Sequence, residues 1–157
     1  MTIRELGPHD ASDVQALYES LDARDSYLRF FATRPTQLNV VAERATQHDR
    51  GHGGVGAFES GALIGAANFV VLDDPSTAEL AMVVEHDHQL HGVGSELLAR
   101  LICLAERHGV RTFIAEVLAV NQTMLRVIAE TGLPTTRRRE GSAVHIEIRS
   151  PESGATT

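Results

Sequence analysis

The sequence contains no tryptophan, a single cysteine and only two tyrosines. The lone cysteine, Cys103, excludes an internal disulfide, and its place among leucines in a helical pattern predicts simple packing. No stretch approaches the roughly eighteen consecutive apolar residues of a membrane-spanning helix, so no membrane partner is expected. The N-terminus, Met-Thr-Ile-Arg-Glu-Leu, lacks a basic patch followed by an apolar core, so no signal peptide is expected and the cytoplasm is the default address. Basic residues are scarce, with 14 Lys and Arg against 21 Asp and Glu, a formal net charge of -7. That balance argues against nucleic acid as a partner, because phosphate backbones are bound by basic surfaces. It is compatible with a cationic substrate, such as a lysine side chain or a polyamine. A length of 157 residues with 43% hydrophobic content fits one domain with a real core.

Two familiar phosphate loops are also missing. A Walker loop needs four residues between its glycines followed by Lys-Ser/Thr, and no such run occurs. A dinucleotide fingerprint needs Gly-x-Gly-x-x-Gly, but Leu97 stands where the third glycine belongs. What stands instead is Gln89-Leu90-His91-Gly92-Val93-Gly94-Ser95. It lies between an apolar run (Leu80 to Val84) and a helical pattern (Leu97, Leu98, Leu101, Leu104, Ala105). A strand that turns through glycines into a helix leaves backbone N–H groups free, and these, with the positive end of the helix dipole, suit an anion. Gly92 and Gly94 permit a tight turn and a close backbone approach.

Periodicity and turn residues lay out the rest. Thr2 to Leu6 reads as a strand, and Asp10 as the N-cap of a helix carrying Val14, Leu17, Tyr18 and Leu21. A second helical piece holds Tyr27, Leu28, Phe30 and Phe31 and ends at Pro35, and residues 37 to 47 form another helix. His48 to Gly54 is a polar, glycine-rich break. Gly56 to Glu59 and Ala62 to Val71 predict a hairpin across Ser60-Gly61, and Thr77 to Glu85 is the strand entering the central loop. Helix Gly92 to His108 stops at Gly109, with Glu96 and Arg100 spaced for an ion pair. Arg111 to Val117 is a strand, Asn121 to Thr131 a helix, and Thr135 to Arg139 with Ala143 to Arg149 a terminal hairpin. Ser150 to Thr157 reads as a disordered tail.

Gln89-Leu-His-Gly92-Val-Gly94 resembles the Gln/Arg-x-x-Gly-x-Gly/Ala pyrophosphate loop of the GNAT acyltransferase superfamily, and the order of elements is the GNAT order over almost the whole chain. Leu21-Asp-Ala-Arg-Asp-Ser-Tyr27-Leu-Arg29-Phe30-Phe31 is similar to a stretch of bacterial Pat-like protein lysine acetyltransferases, although Asp25-Ser26-Tyr27 departs in detail. The resemblance implies an α/β (α+β) fold over residues 1–149, a central mixed, mostly antiparallel sheet of about seven strands flanked by about four helices. It implies acetyl-CoA as co-substrate and an amine acceptor, most naturally a protein lysine, with a small-molecule amine as the alternative.

The resemblance also assigns residues. Glu79, in Ala78-Glu79-Leu80-Ala81, stands where relatives carry a general base; strict alternation puts it on one face with Ala81, Val83 and Glu85. The backbone of Val83, Val84 and Glu85 would bind pantetheine, and the amides of Gln89, Leu90, His91, Gly92, Val93, Gly94 and Ser95 the phosphates. Asn121 and Met124 open the helix that commonly contacts the CoA arm, and Asn121 is equally an N-cap. Tyr27 and Arg29 would wall the acceptor side, whereas Phe30 and Phe31 suit core packing. Relatives often carry a tyrosine after the fifth strand as general acid; none occurs here. His86, Asp87, His88 and His91 match no standard zinc spacing, so no metal is expected. A non-catalytic acyl-CoA-binding module is the rival of another class.

Overall fold

Turn chemistry and glycine placement lay out the sheet. The computed structural model describes residues 1–22, 24, 38–85 and 92–151. The elements are β1 (Thr2–Glu5), α1 (Ala11–Ser20), α2 (Leu38–Ala45), β2 (His52–Glu59), β3 (Ala62–Val71), β4 (Thr77–Val84), α3 (Val93–Arg107), β5 (Thr112–Leu118), α4 (Gln122–Ala129), β6 (Thr135–Glu140) and β7 (Ala143–Arg149). Seven strands form one sheet in the order β1-β2-β3-β4-β5-β7-β6. Every neighbouring pair is antiparallel except β4 and β5. The sheet is thus mixed and mostly antiparallel, as the sequence pattern predicts. Ser60 (φ 53°) and Gly61 (φ 85°) close the β2–β3 hairpin with the two positive φ angles that match strand twist in a two-residue turn. Parallel strands cannot be joined so tightly, and α3 makes the crossover from β4 to β5.

The helices cover both faces. On one, Val14, Leu17 and Tyr18 of α1, with Leu21, pack with Ala42 and Ala45 of α2 onto Leu63, Ala66 and Val83. On the other, Leu97, Leu98, Leu101, Leu104 and Ala105 of α3 are buried with Phe69, Phe113, Ile146 and Ile148. Each such leucine contributes about 1.5–3 kcal/mol on burial, so α3 is fixed to the sheet more firmly than any short helix could be by propensity alone.

Several sequence expectations need correction. The break read at His48 to Gly54 is partly strand, because β2 begins at His52. Its glycines are there for close packing: a Cβ on Gly53 would lie 2.6 Å from a ring carbon of Phe69, and one on Gly54 3.0 Å from the Ala67 carbonyl. Asp10 does not cap α1 through its side chain; its carboxylate accepts from the Gly7 amide (2.9 Å) and from Arg4 (2.9 and 3.1 Å). Arg100 does not pair with Glu96 but donates to the carbonyl of Ile3 at 3.0 Å. Cys103 is exposed, since positions 101, 102, 104 and 105 face the sheet and 103 falls opposite. Ser150 is not part of a tail: it is buried, its amide donates to Arg111 O at 2.8 Å, and its hydroxyl donates to Glu106. The helix predicted around Tyr27 to Phe31 and residues 152–157 lie outside the described residues.

Candidate active site

The parallel ladder between β4 and β5 is short. It joins Thr77 to Thr112, Ala78 to Phe113 and Glu79 to Ile114, and no later pair extends it. Beyond Glu79 a cleft of about 330 Å³ opens, lined by Asn68, Glu79, Ala81, Met82, Glu116 and Asn121 among others. On the far side of Asn68 and Val70 a broader groove continues past Val41, Arg44 and His52. Glu79 is an exposed residue of β4, and its side chain has no hydrogen-bond or ion-pair partner among the described residues.

Backbone alternation decides which groups of β4 face the cleft. The Glu85 amide donates to the Ile64 carbonyl at 2.8 Å. Counting back in steps of two through the antiparallel register to β3, Val83 and Ala81 also turn their backbone groups toward β3. Leu80, Met82 and Val84 therefore turn theirs toward β5 and the cleft. Of the three residues assigned to pantetheine, Val84 has the suitable backbone orientation, while Val83 and Glu85 are committed to the β3 side. Met82 shares the orientation of Val84 and lines the cleft.

At the end of β4 lies the glycine turn. Gly92 adopts φ 80°, ψ 2° as the N-cap of α3, and a Cβ there would meet nothing within 4 Å; glycine is needed for conformation rather than for space. Gly94 is different. A Cβ on it would lie 3.2 Å from Val127 and 3.4 Å from Met82, so it seats α3 against α4. The first helical bond, Glu96 N to Gly92 O at 3.1 Å, follows the amides of Val93, Gly94 and Ser95, which belong to the group of N–H donors that an α-helix leaves for an anion. A small pocket of about 140 Å³ sits at this end, lined by Gly92, Gly94, Ser95, Thr123, Arg126, Val127 and Glu130. Gln89, Leu90 and His91, like the histidines at 86 and 88 and the acceptor-side Tyr27 and Arg29, lie outside the described residues.

Asn121 lines the cleft at the start of α4. Its Oδ1 accepts from the Met124 amide at 3.1 Å and caps α4, while its Nδ2 has no partner among the described residues and the side chain lines the cleft together with Met124. Sequence reasoning missed Thr123, Arg126 and Glu130, although their spacing of three and four along α4 marks a single helix face. Glu130 accepts from the Ser95 hydroxyl at 2.7 Å. It also missed Glu116, which shares a face with Glu79 once β5 is known to run parallel to β4.

A mixed seven-stranded sheet whose central parallel pair parts over a cleft, with a glycine turn and helix N-terminus at its end, defines a class of protein that holds an extended, phosphate-bearing ligand between two strands. Residues 14–133 match the model of the acetyltransferase (GNAT) family. The chain belongs to that family and is an acetyltransferase. It is similar to the GNAT domain of S. lividans PAT, with 29% identity and a TM-score of 0.84 over 94% of this chain and 89% of that one. A putative acetyltransferase from Salmonella typhimurium, solved with its cofactor acetyl-CoA, aligns at 22% identity and TM-score 0.74 over 99% and 97% of the two chains. A GNAT superfamily phosphinothricin acetyltransferase from Sinorhizobium meliloti, solved in complex with acetyl-CoA, aligns at 17% and 0.74 over 99% and 91%. No curated protein matches the chain.

Proposed function

We propose that the protein transfers an acetyl group from acetyl-CoA to a primary amine, that the acceptor is a protein lysine, and that Glu79 is the general base. The observation that carries this is the cleft itself, where a carboxylate, an unladdered β4 edge and the Asn121 amide converge above a helix N-terminus. These residues fit the co-substrate. The backbone of Met82 suits an amide of the pantetheine arm, Asn121 Nδ2 offers a donor, and the amides of Val93 to Ser95 with Arg126 suit the phosphates. When bound, acetyl-CoA supplies the acyl group as a thioester, already activated toward an amine.

The chain's own residues must then handle a proton. A lysine amine, with a pKa of about 10.4, arrives as an ammonium at neutral pH. Glu79 can accept its proton directly or through one water, and general base catalysis of this kind contributes typically 10²- to 10⁴-fold. Holding both reactants in one cleft contributes by orientation. α4 carries no tyrosine, so the departing thiolate either takes a proton from water or leaves unaided. The resemblance to the PAT domain and the acidic net charge favour a lysine side chain as acceptor. Among the described residues no helix is long and apolar enough to cross a membrane, and the cytoplasm is the proposed site of action.

The test is release of free thiol from acetyl-CoA in the presence of lysine peptides, free amino acids and polyamines in parallel. Transfer to a lysine ε-amine, located by mass spectrometry, is the expected result. Turnover with small amines alone would move the acceptor to a small molecule. Acetyl-CoA binding with no turnover on any amine would make the protein a non-catalytic acyl-CoA module.

A further inference from the structure

We infer that Glu116, held in place by His145, is the carboxylate that receives the acceptor's ammonium group, a specificity-determining role separate from the proton transfer assigned to Glu79. This rests on the amine acetylation proposed for the same cleft. Glu79 is opposite Ile114, and alternation places Ile114 and Glu116 on the face that Glu79 shares. Both glutamates line the cleft. Two carboxylates at one mouth allow one to anchor a cation while the other takes its proton.

Glu116 is built to hold a position. It is the direct cross-strand neighbour of His145 on β7, and His145 Nδ1 donates to its Oε2. The imidazole is largely buried, at 16% side-chain exposure, whereas Glu116 is 35% exposed. Glu116 Oε1 has no partner among the described residues and remains available to a ligand. Among the described residues, the charged partners of the imidazole lie on three strands, Glu116 on β5 being the first. On β7, Glu147 Oε2 lies 3.6 Å from its Nε2. On β6, its cross-strand neighbour Arg138 is engaged by Glu140 at 2.7 Å. Three carboxylates thus stand against one arginine and a histidine, and a cation completes the balance. Potential ligand atoms of Glu116, Glu140 and His145 lie within 4.8 Å of one another. The bond from Nδ1 to Glu116 requires a proton between them, so that nitrogen has no lone pair for a metal.

The arrangement has a consequence for pH. The hydrogen bond to Glu116 raises the His145 pKa above its ordinary 6.5, with burial and Arg138 opposing and Glu147 assisting. When His145 loses its Nε2 proton, the Glu116–His145 pair changes from neutral to net negative while the bond through Nδ1 persists. Acceptor cation and proton therefore compete, and each must weaken the other by the same factor.

The experiment has two readouts on the full chain. In steady-state kinetics with a lysine peptide, Glu116→Gln is expected to raise the acceptor KM about tenfold or more, the scale of one charge-assisted hydrogen bond, with kcat and the acetyl-CoA KM nearly unchanged. The wild-type acceptor KM should fall as pH rises through the His145 titration. His145→Asn, which can still donate near the Nδ1 position but never becomes charged, should give a low KM without that limb. Independently of turnover, NMR titration of His145 with Nα-acetyl-lysine methylamide as the probe should show its pKa falling in the wild type and unmoved in Glu116→Gln. A His145 pKa indifferent to the probe, or a Glu116→Gln variant that loses kcat with acceptor KM intact, overturns the assignment. If acetyl-CoA binds but no amine is acetylated, the proposed function fails separately from this probe result.

Discussion

Glu79 on β4 and Ile114 on β5 form the last rung of the parallel ladder. The carboxylate proposed as base therefore stands where the two strands part. Its polypeptide neighbours hold it by backbone hydrogen bonds on the β3 side, through the rung to Val70, and its side chain looks into the space the parting creates.

Acetyl-CoA should stabilise the protein. At about a hundred times its dissociation constant, a ligand that binds only the folded state adds roughly 2.7 kcal/mol. For a domain of this size, that raises the thermal midpoint by about 5–10 °C. A differential scanning measurement with and without the ligand checks this, and desulfo- or dephospho-analogues report which part of the cleft contributes.

Gly92→Ala should harm both stability and binding. At φ 80°, a side chain costs about 1–2 kcal/mol, and relief of that strain would turn the α3 amides away from the phosphates. Gly141, at φ 64° in the β6–β7 turn, supplies the control. Gly141→Ala should lower the midpoint comparably and leave the acetyl-CoA dissociation constant unchanged, as isothermal titration would register.

Asn121 should separate into two roles. Asn121→Ala removes an N-cap and costs about 0.5–2 kcal/mol, besides weakening acetyl-CoA binding. Asn121→Asp keeps the acceptor for the Met124 amide and loses the Nδ2 donor. It should recover stability in urea melts without recovering affinity.

Asp10 should give the molecule part of its acid sensitivity. The hydrogen bond from Arg4, with help from the Gly7 amide and against burial, holds its pKa below the ordinary 3.8. A lowered folded pKa means stability that is present above about pH 3.8 and lost as pH falls through the folded value. Asp10→Asn should therefore be less stable than wild type by about 1–3 kcal/mol at neutral pH, with the gap narrowing in acid. Urea midpoints across the pH range decide it.

Most of the fold was legible because strand alternation, helix stripes and positive-φ glycines are local signals. The β3 limits, the stop at Gly109 and the hairpin at Ser60-Gly61 were read from such signals directly. The failures came where a residue's meaning depends on a distant partner. Gly53 and Gly54 looked like a loop, yet they are strand glycines that make room for Phe69 and the Ala67 carbonyl. Arg100 was matched to its neighbour on the helix, whereas its donor reaches the first strand. The same limit applied at the site. Glu79, Asn121 and the glycine turn were candidates from a motif, while Glu116 and Arg126 join the cavity linings only once register and helix face are known. That Met82 and Val84 turn their backbone groups away from β3, while Val83 and Glu85 turn theirs toward it, follows from a hydrogen-bond parity that no composition records.

The measurement that bears most directly on the centre of this picture is kcat for Glu79→Gln on an acceptor that the wild-type protein acetylates. The substitution preserves size and removes the ability to take a proton. A fall in kcat of about 10²- to 10⁴-fold, with acetyl-CoA still raising the thermal midpoint as in wild type, is the expected result. Full turnover by Glu79→Gln would contradict it and move the base elsewhere in the cleft.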